Sequence, residues 1–171
     1  MTRRDHILKW LLYGLGLLPI LVLELYILPR FPIFGIIPTL LPVAAVTVAV
    51  LEGPTAGAGF GLFVGILSDA LIPGTPGAMT FALALLGLCA GAAARYGIRQ
   101  DLPGCLLCSS CALILIALVR VLYFLLRGAA GPGVLLATAV PEIIWSLVFL
   151  PLIYGIFHWI FQRVPKPSLL A

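Results

Sequence analysis

The stretch Gly53-Pro54-Thr55-Ala56-Gly57-Ala58-Gly59-Phe60-Gly61-Leu62-Phe63-Val64-Gly65-Ile66-Leu67-Ser68-Asp69 decides the fold. Gly53, Gly57, Gly61 and Gly65 recur at every fourth position, and Asp69 closes the series. In a water-exposed helix each such glycine costs about 1 kcal/mol relative to alanine. Within a bilayer the same spacing makes a flat ridge on which another helix can lay its backbone. The ridge ends in a carboxylate, which is costly inside an apolar segment and needs a partner.

The rest of the chain has the composition that such a ridge requires. Of its 171 residues 63% are hydrophobic and only 9% charged, with a mean hydropathy of +1.22. A soluble domain carries about 25% charged residues. The chain is therefore read as one polytopic membrane domain over residues 1–171, with no stretch between apolar runs long enough for a soluble domain.

The net charge of +4 does not indicate a nucleic-acid partner. Arg3, Arg4, Lys9, Arg95, Arg99, Arg163 and Lys166 lie at the termini or in one short loop, without interleaved aromatics. That is the distribution by which a membrane protein is oriented, basic side inward. Cys105, Cys108 and Cys111 have a spacing superficially like an iron–sulfur ligand run. Threefold spacing also lines them along one side of a helix, where cysteine is a small apolar residue. No fourth ligand or histidine cluster accompanies them, so they are assigned to packing, with no metal or cofactor site.

Proline, glycine and charge divide the chain into six apolar spans, at about 8–28, 35–51, 54–72, 75–94, 102–126 and 137–161. The first follows Arg3-Arg4 but lacks a small-residue cleavage site, so it reads as a retained span rather than a signal peptide. Pro19 is expected to kink it, and Pro29-Arg30-Phe31-Pro32 to break it. The second is short for a hydrocarbon core of about 30 Å. Glu52-Gly53-Pro54 reads as a tight reversal, and Pro73-Gly74-Thr75-Pro76-Gly77 as the next turn. Gly87 and Gly91 give the fourth span a second small-residue face. The longest connection is Arg127-Gly128-Ala129-Ala130-Gly131-Pro132-Gly133, and the aromatic exit around Phe157, Trp159 and Phe161 marks an interface.

Six spans place both termini and the loops around Glu52 and Arg99 on the basic, cytoplasmic side. Five spans, with the second only partly inserted, would move Arg95 and Arg99 outside and violate the charge bias. Under the six-span order Glu24, Asp69, Arg120 and Glu142 all fall in the outer half of the bilayer. They are expected to form an outer-leaflet polar cluster in which Arg120 pairs with Asp69, Glu142 or both and Glu24 lies nearby. The alternative is that each snorkels separately to the headgroups.

Catalysis has little support. His6 and His158 belong near the opposite face from the carboxylates, and Ser68, Ser109, Ser110 and Ser146 have no basic partner in sequence. Gly57-x-Gly59-x-Gly61 resembles a dinucleotide loop only loosely, since no strand precedes it. The chain is read as a non-enzyme.

From Pro38 to Gly97 the sequence resembles the rod shape-determining MreD family. The resemblance is carried by Pro38-Thr39-Leu40-Leu41, by Glu52-Gly53-Pro54, by Gly57, Gly61-Leu62, Gly65-Ile66 and Asp69, and by Pro76-Gly77 before a span ending in basic residues. Thr39 stands where many relatives carry an acidic or amide residue, and Leu62 where phenylalanine is common.

The resemblance implies an all-α integral membrane protein with six transmembrane helices, similar in fold to the substrate-binding subunits of energy-coupling factor vitamin transporters. It implies a scaffold of the bacterial elongation machinery, or elongasome, in the inner membrane. Such a subunit binds MreC and supports RodA, a class B penicillin-binding protein and, directly or indirectly, MreB filaments in peptidoglycan synthesis and rod cell shape. On that reading Gly53, Gly57, Gly61, Gly65, Gly87 and Gly91 are helix-packing or partner-binding positions. A vitamin-transporter subunit is the alternative. Those subunits tend to carry an alanine pair in the first span for docking, and the span from Leu8 to Leu28 has no alanine.

Overall fold

Alanine and valine fill the segment after Pro42 on every side, so the helix they form has no polar face to offer anything. It lies accordingly at the centre. A computed structural model describes residues 3–30, 38–71, 77–96, 101–126 and 132–163. Among these, α2 (Leu41–Glu52) is buried at every position from Leu41 to Leu51. Around it stand α1 (Arg3–Val22), α3 (Pro54–Leu71), α4 (Ala78–Tyr96), α5 (Leu102–Leu126) and α6 (Pro132–Arg163), each of which packs against it. α1 continues through a π turn, Leu23–Ile27, and a 3-10 turn, Leu28–Arg30. Among the described residues there is no strand.

Five of these helices are long and apolar enough to cross a membrane, over Leu8–Arg30, Pro54–Leu71, Ala78–Tyr96, Leu102–Leu125 and Leu135–Arg163. The protein is thus an all-helical, multi-pass membrane protein. Within the segment expected to be a helix over 35–51, Pro38–Leu40 are not helical and the helix begins at Leu41, its 12 residues rising about 18 Å. Pro42 falls in the first turn, where a missing N–H costs nothing. The sixth helix is longer than expected, because Pro141 and Pro151 sit inside it without ending it.

Successive helices run in opposite directions. Lys9 and Tyr13, early in α1, reach Glu52 at the end of α2, while Glu24, late in the same segment, reaches Leu41 at its start. Gly53, at φ 99°, makes the reversal into α3, a backbone conformation that glycine alone adopts freely. α3 and α4 then lie antiparallel and very close. A Cβ on Gly57 would stand 2.6 Å from the carbonyl oxygen of Gly87, and one on Gly91 would stand 2.7 Å from that of Gly53. A Cβ on Gly65 would stand 3.0 Å from the Met79 carbonyl oxygen and the Thr80 nitrogen, and closer still to the Thr80 Cα.

The glycine ridge is therefore consumed inside the molecule. Gly57, Gly61 and Gly65 face α4, and Gly87 and Gly91 face α3 and the reversal, leaving none of them free for another chain. Of the two uses expected for these positions, helix packing or partner binding, the close approach seen here is helix packing.

The turn over 73–76, Phe31-Pro32, the segment 35–37, Arg99, the connection over 127–131 and Lys166 lie outside the described residues.

Candidate functional site

A helix that begins inside an apolar core exposes N–H groups that neither its own turns nor water can satisfy. α2 begins that way after Leu40, and α4 begins at a more open position after Gly77, neither residue having a side-chain acceptor. In both, a carboxylate from another helix supplies what the cap residue lacks. Glu24 accepts the N–H of Leu41 at 2.9 Å and is itself only 9% exposed. Pro42, next in line, has no donor to satisfy. Asp69 accepts the N–H of Met79 at 3.3 Å and that of Thr80 at 2.9 Å, and the Thr80 hydroxyl at 2.6 Å. Both carboxylates also meet the positive end of a helix dipole.

Glu24 owes its position to the π turn, whose wider ring is closed by the Leu28 N–H on the Leu23 carbonyl. Asp69 follows from the ridge, since close approach of α3 and α4 brings its carboxyl beside the first turn of α4. Asp69→Ala is expected to cost about 1–2 kcal/mol, the loss of a cap together with stranded N–H groups. Asp69→Asn retains an acceptor and is expected to cost under about 1 kcal/mol. Thermal unfolding in detergent distinguishes the two.

Around the start of α2 a larger network forms. Arg120 of α5 donates from Nη1 to Oε2 of Glu142 at 2.8 Å and from Nη2 to Oε1 at 3.0 Å, a two-pronged ion pair. The Glu142 side chain is 13% exposed and that of Arg120 is 40% exposed. Oε1 of Glu142 also accepts the Thr39 hydroxyl at 3.2 Å. Ser146, one turn along α6, accepts the Thr39 N–H at 3.1 Å and donates to the Glu142 carbonyl at 2.7 Å. Glu24, Thr39, Arg120, Glu142 and Ser146 thus tie α1, α2, α5 and α6 together at one end.

Three of the four expected cluster residues, Glu24, Arg120 and Glu142, are brought together, while Asp69 is not. Of the partners expected for Arg120, Asp69, Glu142 or both, the structure gives Glu142, while Asp69 is held by the N-terminus of α4. Separate snorkelling is also excluded for Glu24 and Glu142, whose oxygens are bonded within the protein.

The sequence reading missed Thr39 and Ser146. Pro38-Thr39 was a usable signal, because a threonine that follows a proline and precedes a buried helix stands where cap partners gather. It missed a second group altogether. At the opposite end Glu52, with its side chain 8% exposed, forms an ion pair with Lys9 and accepts the Tyr13 hydroxyl at 2.6 Å. Tyr13 also packs in an aromatic group with Trp10, Phe60 and Phe157. Glu52→Leu, which strands an ammonium and a phenol, is expected to cost about 2–3 kcal/mol, and Tyr13→Phe about 1 kcal/mol. Chemical unfolding in mixed micelles tests both.

The cysteines are free thiols, Cys105 and Cys108 buried and Cys89 and Cys111 exposed. Cys105 donates to Thr47 at 3.4 Å, the single polar side chain in the middle of α2. Among the described residues no histidine, cysteine and carboxylate set is grouped to hold a metal.

No family model, curated protein or solved structure matches this chain. Its function is therefore argued from the geometry and from the residues that carry the MreD resemblance.

Proposed function

We propose that the chain is a non-enzymatic membrane scaffold subunit of the MreD kind, which binds MreC and through it supports wall synthesis by RodA and a class B penicillin-binding protein. One observation carries the reading. The residues on which the resemblance rests, the Glu52-Gly53-Pro54 reversal, the ridge glycines and Asp69, are those that join α2, α3 and α4 into one close-packed unit. They serve architecture rather than chemistry, as a scaffold requires. Binding by such a unit favours one conformation of its partners and needs no reaction of its own.

The same geometry favours six crossings. α2 with Pro38–Leu40 returns the chain from the Glu24 end to the Lys9 end, so that α2 completes a passage although it is short. Lys9, Arg95 and Arg163 then share the end with the Glu52 reversal, and Arg30 and Arg120 the other. The positive-inside rule places the Lys9 end and both termini in the cytoplasm of a bacterium, and the domain in the inner membrane. A vitamin-binding role is less well supported, because the centre of the bundle is filled by α2.

Co-purification tests the scaffold reading. The chain, tagged and extracted in mild detergent, is expected to recover MreC. Recovery of a transporter's ATPase module, or of a bound vitamin without MreC, would overturn the proposal.

A further inference from the structure

We propose that the two clefts meeting at Arg120 form one binding site for a zwitterionic phospholipid, its phosphate on Arg120, its ammonium toward Glu142 and one acyl chain between α4 and α5. The inference rests on the membrane placement of the chain and is independent of the scaffold role.

On one side of α5 a cleft of about 220 Å³ opens toward α4, walled by Ala82, Leu115, Val119 and Phe124, with Arg120 its one charged residue. On the other side a cleft of about 230 Å³ opens toward α6, and Arg120, Glu142 and Thr138 share its wall with Leu135 and Ala139. Arg120 and Phe124 line both. An apolar slot and a slot carrying both signs of charge are therefore contiguous along one helix, which is the division of a phospholipid into chain and headgroup.

The guanidinium is incompletely satisfied. It has five N–H donors, and the pair with Glu142 uses one on each terminal nitrogen. Among the described residues no second acceptor meets the others, and the side chain is 40% exposed. Against hydrocarbon such donors have no water to fall back on, so an acceptor from the bilayer satisfies them best. A phosphodiester supplies several oxygens in the geometry that arginine binds well.

Charge then selects the headgroup. Arg120 is already compensated by Glu142, and Glu24 lies beside the same network, so a purely anionic headgroup would meet carboxylates as well as a cation. A phosphate that carries its own ammonium meets both signs with the opposite one. A second copy or a partner helix would fill the apolar slot but would leave the Arg120 donors unanswered unless it carried a carboxylate there.

The test is lipid retention. The purified protein is equilibrated in nanodiscs of equal phosphatidylethanolamine, phosphatidylglycerol and cardiolipin, extracted, and its retained lipid weighed by native mass spectrometry. Wild type is expected to hold phosphatidylethanolamine severalfold above the bulk ratio. Arg120→Gln is expected to return the ratio to bulk, and Glu142→Gln to shift it toward phosphatidylglycerol. Ala82→Phe blocks the chain slot without touching the ion pair and is expected to lower retention at unchanged headgroup preference. Thermal unfolding of each variant confirms that it is folded. Bulk composition on wild type, or wild-type enrichment persisting in both Arg120→Gln and Ala82→Phe, would overturn the proposal. So would crosslinks from the cleft to a protein partner that displaces no lipid.

Discussion

Gly61→Leu is expected to break the α3–α4 pair, while Gly59→Leu, two positions away, leaves the protein intact. A Cβ on Gly61 would stand 2.9 Å from the carbonyl carbon of Leu83 and closer still to its oxygen, whereas one on Gly59 would meet nothing within 4 Å. Backbone cannot rotate aside as a side chain can, so the helices must separate. The cost is expected to reach or exceed about 3 kcal/mol, the upper end for overpacking. Gly59→Leu is expected to stay within about 0.5 kcal/mol, or to stabilise slightly through helix propensity. Thermal unfolding of the detergent-purified variants measures the difference. Equal stability of the two would mean that this face of α3 does not rest on α4.

The second large effect belongs to the ion pair. Arg120→Ala and Glu142→Ala are each expected to cost about 2–3 kcal/mol, below the range for a fully buried pair because Arg120 is partly exposed. The double variant should fall short of their sum by about 1 kcal/mol or more, since the groups touch. Arg120→Ala with Asp69→Ala should instead be additive within about 0.5 kcal/mol, because Asp69 is engaged at α4. Denaturant unfolding in mixed micelles supplies both cycles. Coupling to Asp69, or none to Glu142, would contradict the assignment of partners.

These two cases also mark what the sequence discloses. A four-residue glycine period has one physical use within a bilayer, so Gly57, Gly61, Gly65 and Gly87 were legible as a packing surface. The identity of the neighbour was not, because a ridge accepts an internal helix or a foreign one equally well. Counting spans put Glu24, Arg120 and Glu142 at one end of the bundle, where they meet. Asp69 lies at the same end but answers to the start of α4. The sequence hides that competition, because the competing group is a backbone N–H that every residue possesses. Thr39, Lys9 and Glu52 were not assigned to a network for a related reason: each lies beside a proline, a turn or a terminus, where polar residues are ordinarily solvated, while Ser146 sits within α6 and meets a backbone N–H 107 positions away. The helix limits of α2 were obscured by apolar residues on both sides of Pro38 and Pro42.

Passage of the chain through α2 reverses the sidedness of everything after it. Single cysteines placed at Arg30, Ala78 and Tyr96 in a variant lacking the four native cysteines test it, with a membrane-impermeant maleimide on intact and permeabilised cells. All three positions are exposed. Arg30→Cys and Ala78→Cys are expected to label from outside, and Tyr96→Cys only after permeabilisation. Labelling of Tyr96→Cys together with Arg30→Cys from outside, with Ala78→Cys protected, would mean that α2 does not complete the crossing.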